Sequence, residues 1–279
     1  MSNAAGKVRV PALLEMKRTQ RKITMLTAYD ATMARILDAA GIDILLVGDS
    51  LGMVVLGEDT TVGVTLDMMV HHCRAVSNGA GRALVVADLP FLTYHTSVAD
   101  ALRHAGRLMQ LGRASAVKLE GGAATCGVVR ALTDAGIPVM GHLGLLPQHI
   151  HQLGGFRAVG KNNREAEQLL ADGHALEAAG AFALVLESIP VDLARQVTSE
   201  LAIPTIGIGA GPHCDGQVLV SYDAFGLFQG RVPRFVKRYA DLGGAMTEAT
   251  RAYIDDVRGG IFPGAEHCLA APALTTVPE

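Results

Sequence analysis

The sequence is poor in aromatic residues, at 4%, and has no basic run; its 24 Lys and Arg are offset by 27 Asp and Glu, for a net charge of −3. A nucleic-acid partner ordinarily needs a basic face, often with stacking aromatics, so that class is disfavoured. The four cysteines (Cys73, Cys126, Cys214, Cys268) form no C-x-x-C and no zinc spacing, and read as free thiols of a reducing compartment. No stretch approaches the ~20 apolar residues of a membrane span. The opening MSNAAGKVRV lacks the apolar core of a signal peptide. A cytoplasmic protein without a membrane partner is expected. Finally, no G-x-G-x-x-G turn follows the first apolar run, which ends at Tyr29-Asp30. That argues against a doubly wound dinucleotide-binding sheet.

What the sequence does have is a repeated phrase. Its 279 residues are 49% apolar, enough for a sizeable core, and 32 glycines punctuate the apolar runs. Short runs apolar on both faces fall at 23–27, 44–47, 84–87, 116–119, 139–141, 183–186 and 205–208, with a further one near 218–220. Parallel strands covered by helices read this way. Between them lie helical patterns at 31–40, 97–111, 123–135, 165–179 and 191–201, the first four closing at a glycine that tolerates the left-handed cap. "AAGIDILLVGD", "DAGIPVMGHLG" and "AAGAFALVLES" are versions of one unit. The expected fold is α/β, a (β/α)8 TIM barrel formed as a single domain over residues 21–268. Residues 1–20 precede it as an N-terminal segment, residues 235–259 are helical, and 269–279 form a flexible tail.

Polar residues sit where these strands end. Asp49 and Ser50 follow the second, Asp88 the third, Lys118 and Glu120 lie in the fourth, His142 follows the fifth, and Glu187 the sixth. In a barrel all these ends converge on one face, where active sites lie. Each residue alone has a plainer role: Asp88 as a helix cap or turn former, His142 as a hydrogen-bonded turn residue. In A-V-K-L-E, Val117 and Leu119 point outward and Lys118 and Glu120 inward, where a buried Lys needs a charged partner. A structural Lys118–Glu120 ion pair is the competing account. Asp49, Asp88 and Glu120 are hard oxygen donors, which favour Mg2+ over zinc. The glycine-rich I-G-I-G-A-G at 206–211 reads better as close backbone approach at a late strand end than as a dinucleotide loop.

Several strings occur in an ordered set: T-A-Y-D at 27–30, V-G-D-S-L-G-M at 47–53, A-D-L-P-F at 87–91, V-K-L-E-G-G at 117–122, G-H-L-G-L-x-P-Q at 141–148, L-V-L-E at 184–187 and I-G-I-G-A-G at 206–211. In this order the chain from about Lys22 to His267 resembles the ketopantoate hydroxymethyltransferase family. The resemblance implies a TIM barrel that transfers the one-carbon unit of 5,10-methylenetetrahydrofolate to 3-methyl-2-oxobutanoate, giving 2-dehydropantoate, the first step of pantothenate biosynthesis. It implies Asp49 and Asp88 as Mg2+ ligands with Glu120 beside the metal. Asp49, Ser50, Asp88, Lys118 and His142 become the substrate-binding set, and Glu187 the general base. It further implies a homo-oligomer, a decamer. Glu58, the stretch Thr61-Val62-Gly63-Val64 and the pair Asn162-Asn163 depart from the family pattern, and none belongs to this set.

The implied chemistry suits the residue types. A 2-oxo acid chelates Mg2+, whose Lewis acidity makes the C3 proton more acidic. Glu187 removes that proton, most effectively with its pKa raised by a partly dry site. Lys118 and the metal stabilise the enolate charge. Two other functions compete with this one. A Mg2+-dependent carbon–carbon lyase of the isocitrate lyase/phosphoenolpyruvate mutase type usually carries a lid such as K-K-C-G-H, absent here. A non-catalytic metabolite-binding barrel has no reason to retain all these polar residues together.

Overall fold

The computed structural model describes residues 6–155 and 157–269. Eight parallel strands close into a barrel in sequence order: β1 Ile23–Thr27, β2 Ile44–Val47, β3 Leu84–Asp88, β4 Ala116–Glu120, β5 Val139–Gly144, β6 Ala183–Glu187, β7 Thr205–Ile208 and β8 Gly216–Leu219, with β8 pairing back onto β1. The expected (β/α)8 barrel is present. The strands are apolar on both faces because helices cover the outside and packed side chains fill the inside.

The two-residue period of a strand sorts its side chains. Ile44, Leu46, Leu84, Val86, Met140 and Val185 join one buried cluster in the lower barrel. Continuing each of these faces toward the carboxyl ends gives Asp88 on β3, Lys118 and Glu120 on β4, His142 on β5 and Glu187 on β6. The same inward row is therefore greasy at one end of the barrel and charged at the other.

The helices largely match the sequence reading, and capping explains where they start. Asp30 accepts from the Met33 amide ahead of Ala31–Ala39, and Ser97 accepts from Asp100 ahead of Val98–Gln110. Asn162, one of the departures from the family pattern, accepts from Glu165 ahead of Asn163–Ala178. Each satisfies an amide that the first helical turn leaves open. Besides three single-turn helices, Leu51–Val54, Ile150–Leu153 and Ser221–Ala224, two longer ones carry no expectation from the sequence. Val10–Arg18 lies in the N-terminal segment and sends Leu13 and Met16 into the lower-barrel cluster. Leu66–Gly79 is capped by Thr65 and buries Leu66, Met69, Cys73 and Val76. Their 3-4-3 spacing is the ordinary signature of a helix face.

Contacts divide the chain into two compact units, Met1–Ser221 with Pro233–Val236 and Tyr222–Val232 with Lys237–Glu279. The first contains the barrel. The second holds the helix Leu242–Arg258, capped by Asp241, with no buried residue along it. The helical reading of 235–259 is thus corrected at its start: residues 235–241 are not helical, because the Asp241 cap sets the first turn. The tail expected at 269–279 lies, from residue 270, outside the described residues. Among the described residues no helix is long and apolar enough to cross a membrane.

Candidate active site

The proposed site residues are brought together at the carboxyl end of the barrel, and a continuous set of polar contacts joins them. Asp49 follows β2, and its backbone N–H donates to Asp88 Oδ2 at 3.1 Å. Asp88 Oδ1 lies 3.1 Å from Lys118 Nζ. Lys118 Nζ is 3.3 Å from His142 Nδ1, which is 3.4 Å from Glu120 Oε1. His142 Nε2 faces Glu187 Oε2 at 3.1 Å. Ser50 stands beside Asp49, its hydroxyl 2.9 Å from the Tyr29 hydroxyl. Asp49, Asp88, Lys118, Glu120 and His142 are buried, whereas the Glu187 side chain is 15% exposed and sits at the open edge.

The partner of Lys118 is Asp88 rather than Glu120. Strand register explains this: Asp88 stands directly opposite Lys118 in the β3–β4 pair. Glu120, two residues farther along the same strand, instead stands opposite His142.

Two residues without an assigned role complete the cluster. The Gln148 side-chain amide donates to Asp49 Oδ2 at 2.9 Å and to the Leu89 carbonyl at 3.0 Å, while its backbone N–H donates to Glu120 Oε2 at 3.0 Å. The Tyr94 hydroxyl donates to Gln148 Oε1 at 2.8 Å. Gln148 therefore ties the second, third, fourth and fifth strand ends together. It was visible as the last letter of G-H-L-G-L-x-P-Q, but an uncharged amide carries no sequence signal for such a role. Gln148→Ala should leave the Asp49 carboxylate and the Leu89 carbonyl without this donor, costing about 1–3 kcal/mol for each that stays buried, while the Tyr94 hydroxyl keeps its bonds to the Glu120 backbone. Chemical denaturation reads this directly, and an unchanged midpoint would show the amide to be dispensable.

Backbone geometry holds Glu187 in place. Gly144 ends β5 with φ 94°, and a Cβ there would stand 2.2 Å from the Glu187 carbonyl oxygen, so only glycine admits the close approach. Ser188, directly after Glu187, has φ 51°, an uncommon conformation for a non-glycine residue that clusters at functional sites. At Gly209 in I-G-I-G-A-G, φ is 62° and a Cβ would meet the Phe235 ring at 2.7 Å. That is the close-approach reading of this segment.

The electrostatics describe a cluster short of positive charge. Burial, then the carboxylates of Asp88 and Glu120, push the Asp49 carboxyl well above its ordinary range. Burial also raises Asp88, against the pull of Lys118. Burial would raise Glu120 too, but hydrogen bonding and charge from His142, with help from Lys118, bring it below its usual value. Burial and Lys118 depress the His142 imidazole, but Glu120 and Glu187 prevail and hold its pKa up at about 9. Four acids thus face two cations, Lys118 and His142. Asp88 Oδ1 is buried and makes no hydrogen bond of good geometry.

This donor set fits a hard divalent cation. An additional positive charge would let Asp49 ionise and would give Asp88 Oδ1 a second cationic contact beside Lys118. Among the described residues no three His, Cys, Asp or Glu side chains are arranged to hold an ion alone. Mg2+ in particular is commonly held by one or two carboxylates, with substrate oxygens and water completing its shell.

A sequence model of the ketopantoate hydroxymethyltransferase family matches residues 7–265. The chain is 58% identical over 262 residues to a 3-methyl-2-oxobutanoate hydroxymethyltransferase of Moorella thermoacetica, covering 94% of this chain and 97% of that protein. It is 52% identical over 267 residues to the enzyme of the same name from Pelobacter propionicus, covering 96% and 99%. Among solved structures, a phosphonopyruvate hydrolase in complex with oxalate and Mg2+ superposes with a TM-score of 0.59 at 14% identity, over 92% of each chain, a likeness of fold alone. Matched along nearly its whole length, the chain belongs to the ketopantoate hydroxymethyltransferase family.

Proposed function

We propose that this enzyme transfers a hydroxymethyl group from 5,10-methylenetetrahydrofolate to 3-methyl-2-oxobutanoate, giving 2-dehydropantoate, with Mg2+ as its cation. The observation that carries the reading is the single connected cluster of Asp49, Asp88, Lys118, Glu120, His142 and Glu187, acidic at its floor and with one carboxylate at its open edge. Such an arrangement suits removal of a proton from carbon beside a carbonyl. Family membership supports the substrate and the transferred group.

Asp49 and Asp88 would hold the cation, with Glu120 contributing directly or through water. When bound, the cation acts as a Lewis acid toward the oxo acid and makes its C3 proton more acidic. Glu187 takes that proton. His142 Nε2 faces the Glu187 carboxylate at 3.1 Å and anchors it from behind. Lys118, held cationic by the acids around it, faces the negative charge that develops as the proton leaves. Ser50 and Lys118 position the oxo acid. C3 then bonds to the methylene carbon of the donor, both carbon–nitrogen bonds that held this carbon break in turn, water supplies the hydroxyl, and the two freed nitrogens take up the C3 proton and the remaining proton of water.

Removing divalent cations with a chelator should abolish turnover, and added Mg2+ should restore it. Because burial and neighbouring carboxylates raise Asp49, cation binding releases protons, so the apparent Mg2+ affinity should weaken as the pH falls. Full turnover in the presence of chelator would remove the metal from the mechanism.

The proposal extends to a cytoplasmic homo-oligomer, a decamer by family resemblance. The four free cysteines, two of them buried, support a reducing compartment. Light scattering of the purified chain reads the subunit number.

A further inference from the structure

The loops after β3 and β5 each carry an adjacent pair of residues, Tyr94-His95 and Gln148-His149. The first member of each pair is buried in the cluster: Tyr94 bonds Gln148 and the Glu120 backbone, and Gln148 bonds Asp49. The second member of each takes no such part. The His95 ring lies 4.0 Å from the Tyr94 ring at an interplanar angle of 33°, and 6.3 Å from both Phe91 and His149. Next to Phe91, Leu92 is 53% exposed and has φ 61°.

Leucine adopts that left-handed conformation only where its surroundings hold it. Here they do. Leu89 N–H donates to the Lys118 carbonyl at 2.8 Å, and its own carbonyl accepts from Gln148 at 3.0 Å. The Thr93 hydroxyl donates to the Pro90 carbonyl at 2.6 Å, and His104 Nδ1 bonds the Thr93 carbonyl at 2.6 Å. The loop is thus pinned to the strand bearing Lys118 and Glu120, yet it presents an apolar side chain to solvent. An exposed leucine in a strained turn adds little to the core, and this one is held beside the rings of Phe91 and His95 on the same loop.

We infer that Phe91, Leu92, His95 and His149 form a stacking shelf for the flat heteroaromatic ring of the one-carbon donor. This rests on the proposed transfer reaction and goes beyond it by placing the second substrate. The floor of the cup is ionic and suits a small oxo acid. The pyrimidinone ring of the donor is planar and uncharged, and needs an apolar or π surface next to that floor. The shelf is one residue removed, on both loops, from groups that bond Asp49 and Glu120. Burial and His149 keep the His95 imidazole below its ordinary value against the pull of Glu120, so it offers a neutral face.

The test uses the full-length protein and two independent readouts: binding of tetrahydrofolate, and metal-dependent exchange of the C3 proton of 3-methyl-2-oxobutanoate without folate. The variants are His95→Ala, His149→Ala, their combination, and Leu92→Gly, which accepts the positive φ without strain and so preserves the loop. Each single variant should weaken tetrahydrofolate binding about tenfold, as loss of a stacking partner does, and the double variant further. Exchange should stay within about twofold of wild type, since the shelf does not touch the oxo acid, whereas a collapsed loop would carry Tyr94 and Gln148 with it and lose exchange. Unchanged tetrahydrofolate binding in all four variants, or loss of both readouts together, overturns the shelf. Wild-type protein that binds tetrahydrofolate through these residues but exchanges no proton would sink the oxo-acid chemistry and leave the shelf standing.

Discussion

Replacing Glu187 with glutamine is expected to slow exchange of the C3 proton of 3-methyl-2-oxobutanoate by roughly a hundred- to ten-thousandfold, the range a positioned general base contributes. The substitution is nearly isosteric. The side chain is 15% exposed and faces His142 Nε2 at 3.1 Å, from which an amide oxygen can still accept a hydrogen bond. The barrel and the bound oxo acid should therefore be unaffected, and the loss should fall on the rate of exchange, followed by proton NMR in deuterated water. Binding of the oxo acid with Mg2+ should persist. Exchange at the wild-type rate would remove Glu187 from the mechanism and direct attention to His142.

Asp88→Ala should affect both activity and folding. The carboxylate is buried, takes the Asp49 N–H at 3.1 Å and stands 3.1 Å from Lys118 Nζ. Alanine leaves the ammonium of Lys118 buried without its nearest counter-charge, and breaking a buried pair from one side costs about 3–5 kcal/mol. Glu120 and Asp49 still attract Lys118 and set the cost toward the lower figure. Metal-dependent turnover should fall with the loss of a ligand. Asp88→Asn separates the two effects: it keeps an acceptor for the Asp49 amide and more of the stability, yet loses the charge that holds the cation. Urea denaturation and Mg2+ titration of both variants read the two consequences. Turnover equal to wild type in Asp88→Ala would refute the ligand role.

The sequence was legible wherever one rule governed the residue. Strands buried on both faces read as continuous apolar runs, and β1, β2 and β7 lie where the pattern put them. β3, β4, β5 and β6 extend farther, to Asp88, Glu120, Gly144 and Glu187, because their charged or small terminal residues pair in the sheet while breaking the apolar pattern. The two-residue alternation in A-V-K-L-E correctly placed Lys118 and Glu120 on the inner face. It could not pair them, since pairing depends on which residue of β3 stands opposite. The helix at Leu66–Gly79 had a readable apolar face, interrupted by His71 and His72 on its other side. Val10–Arg18 has little helical context in sequence, and only its packing of Leu13 and Met16 against the lower barrel explains it. Tyr94 and Gln148 were not legible as site residues at all. Their roles come from hydrogen bonds between loops 54 residues apart, and neither carries charge.

The central claim is that acids at one rim of the barrel serve carbon-acid chemistry on a 2-oxo acid. Its most direct measurement is deuterium incorporation at C3 of 3-methyl-2-oxobutanoate by the wild-type protein, without folate, with and without Mg2+. The account predicts incorporation that requires the divalent ion and needs no one-carbon donor. Incorporation that proceeds equally well after complete removal of divalent ions, or none under either condition, would contradict it.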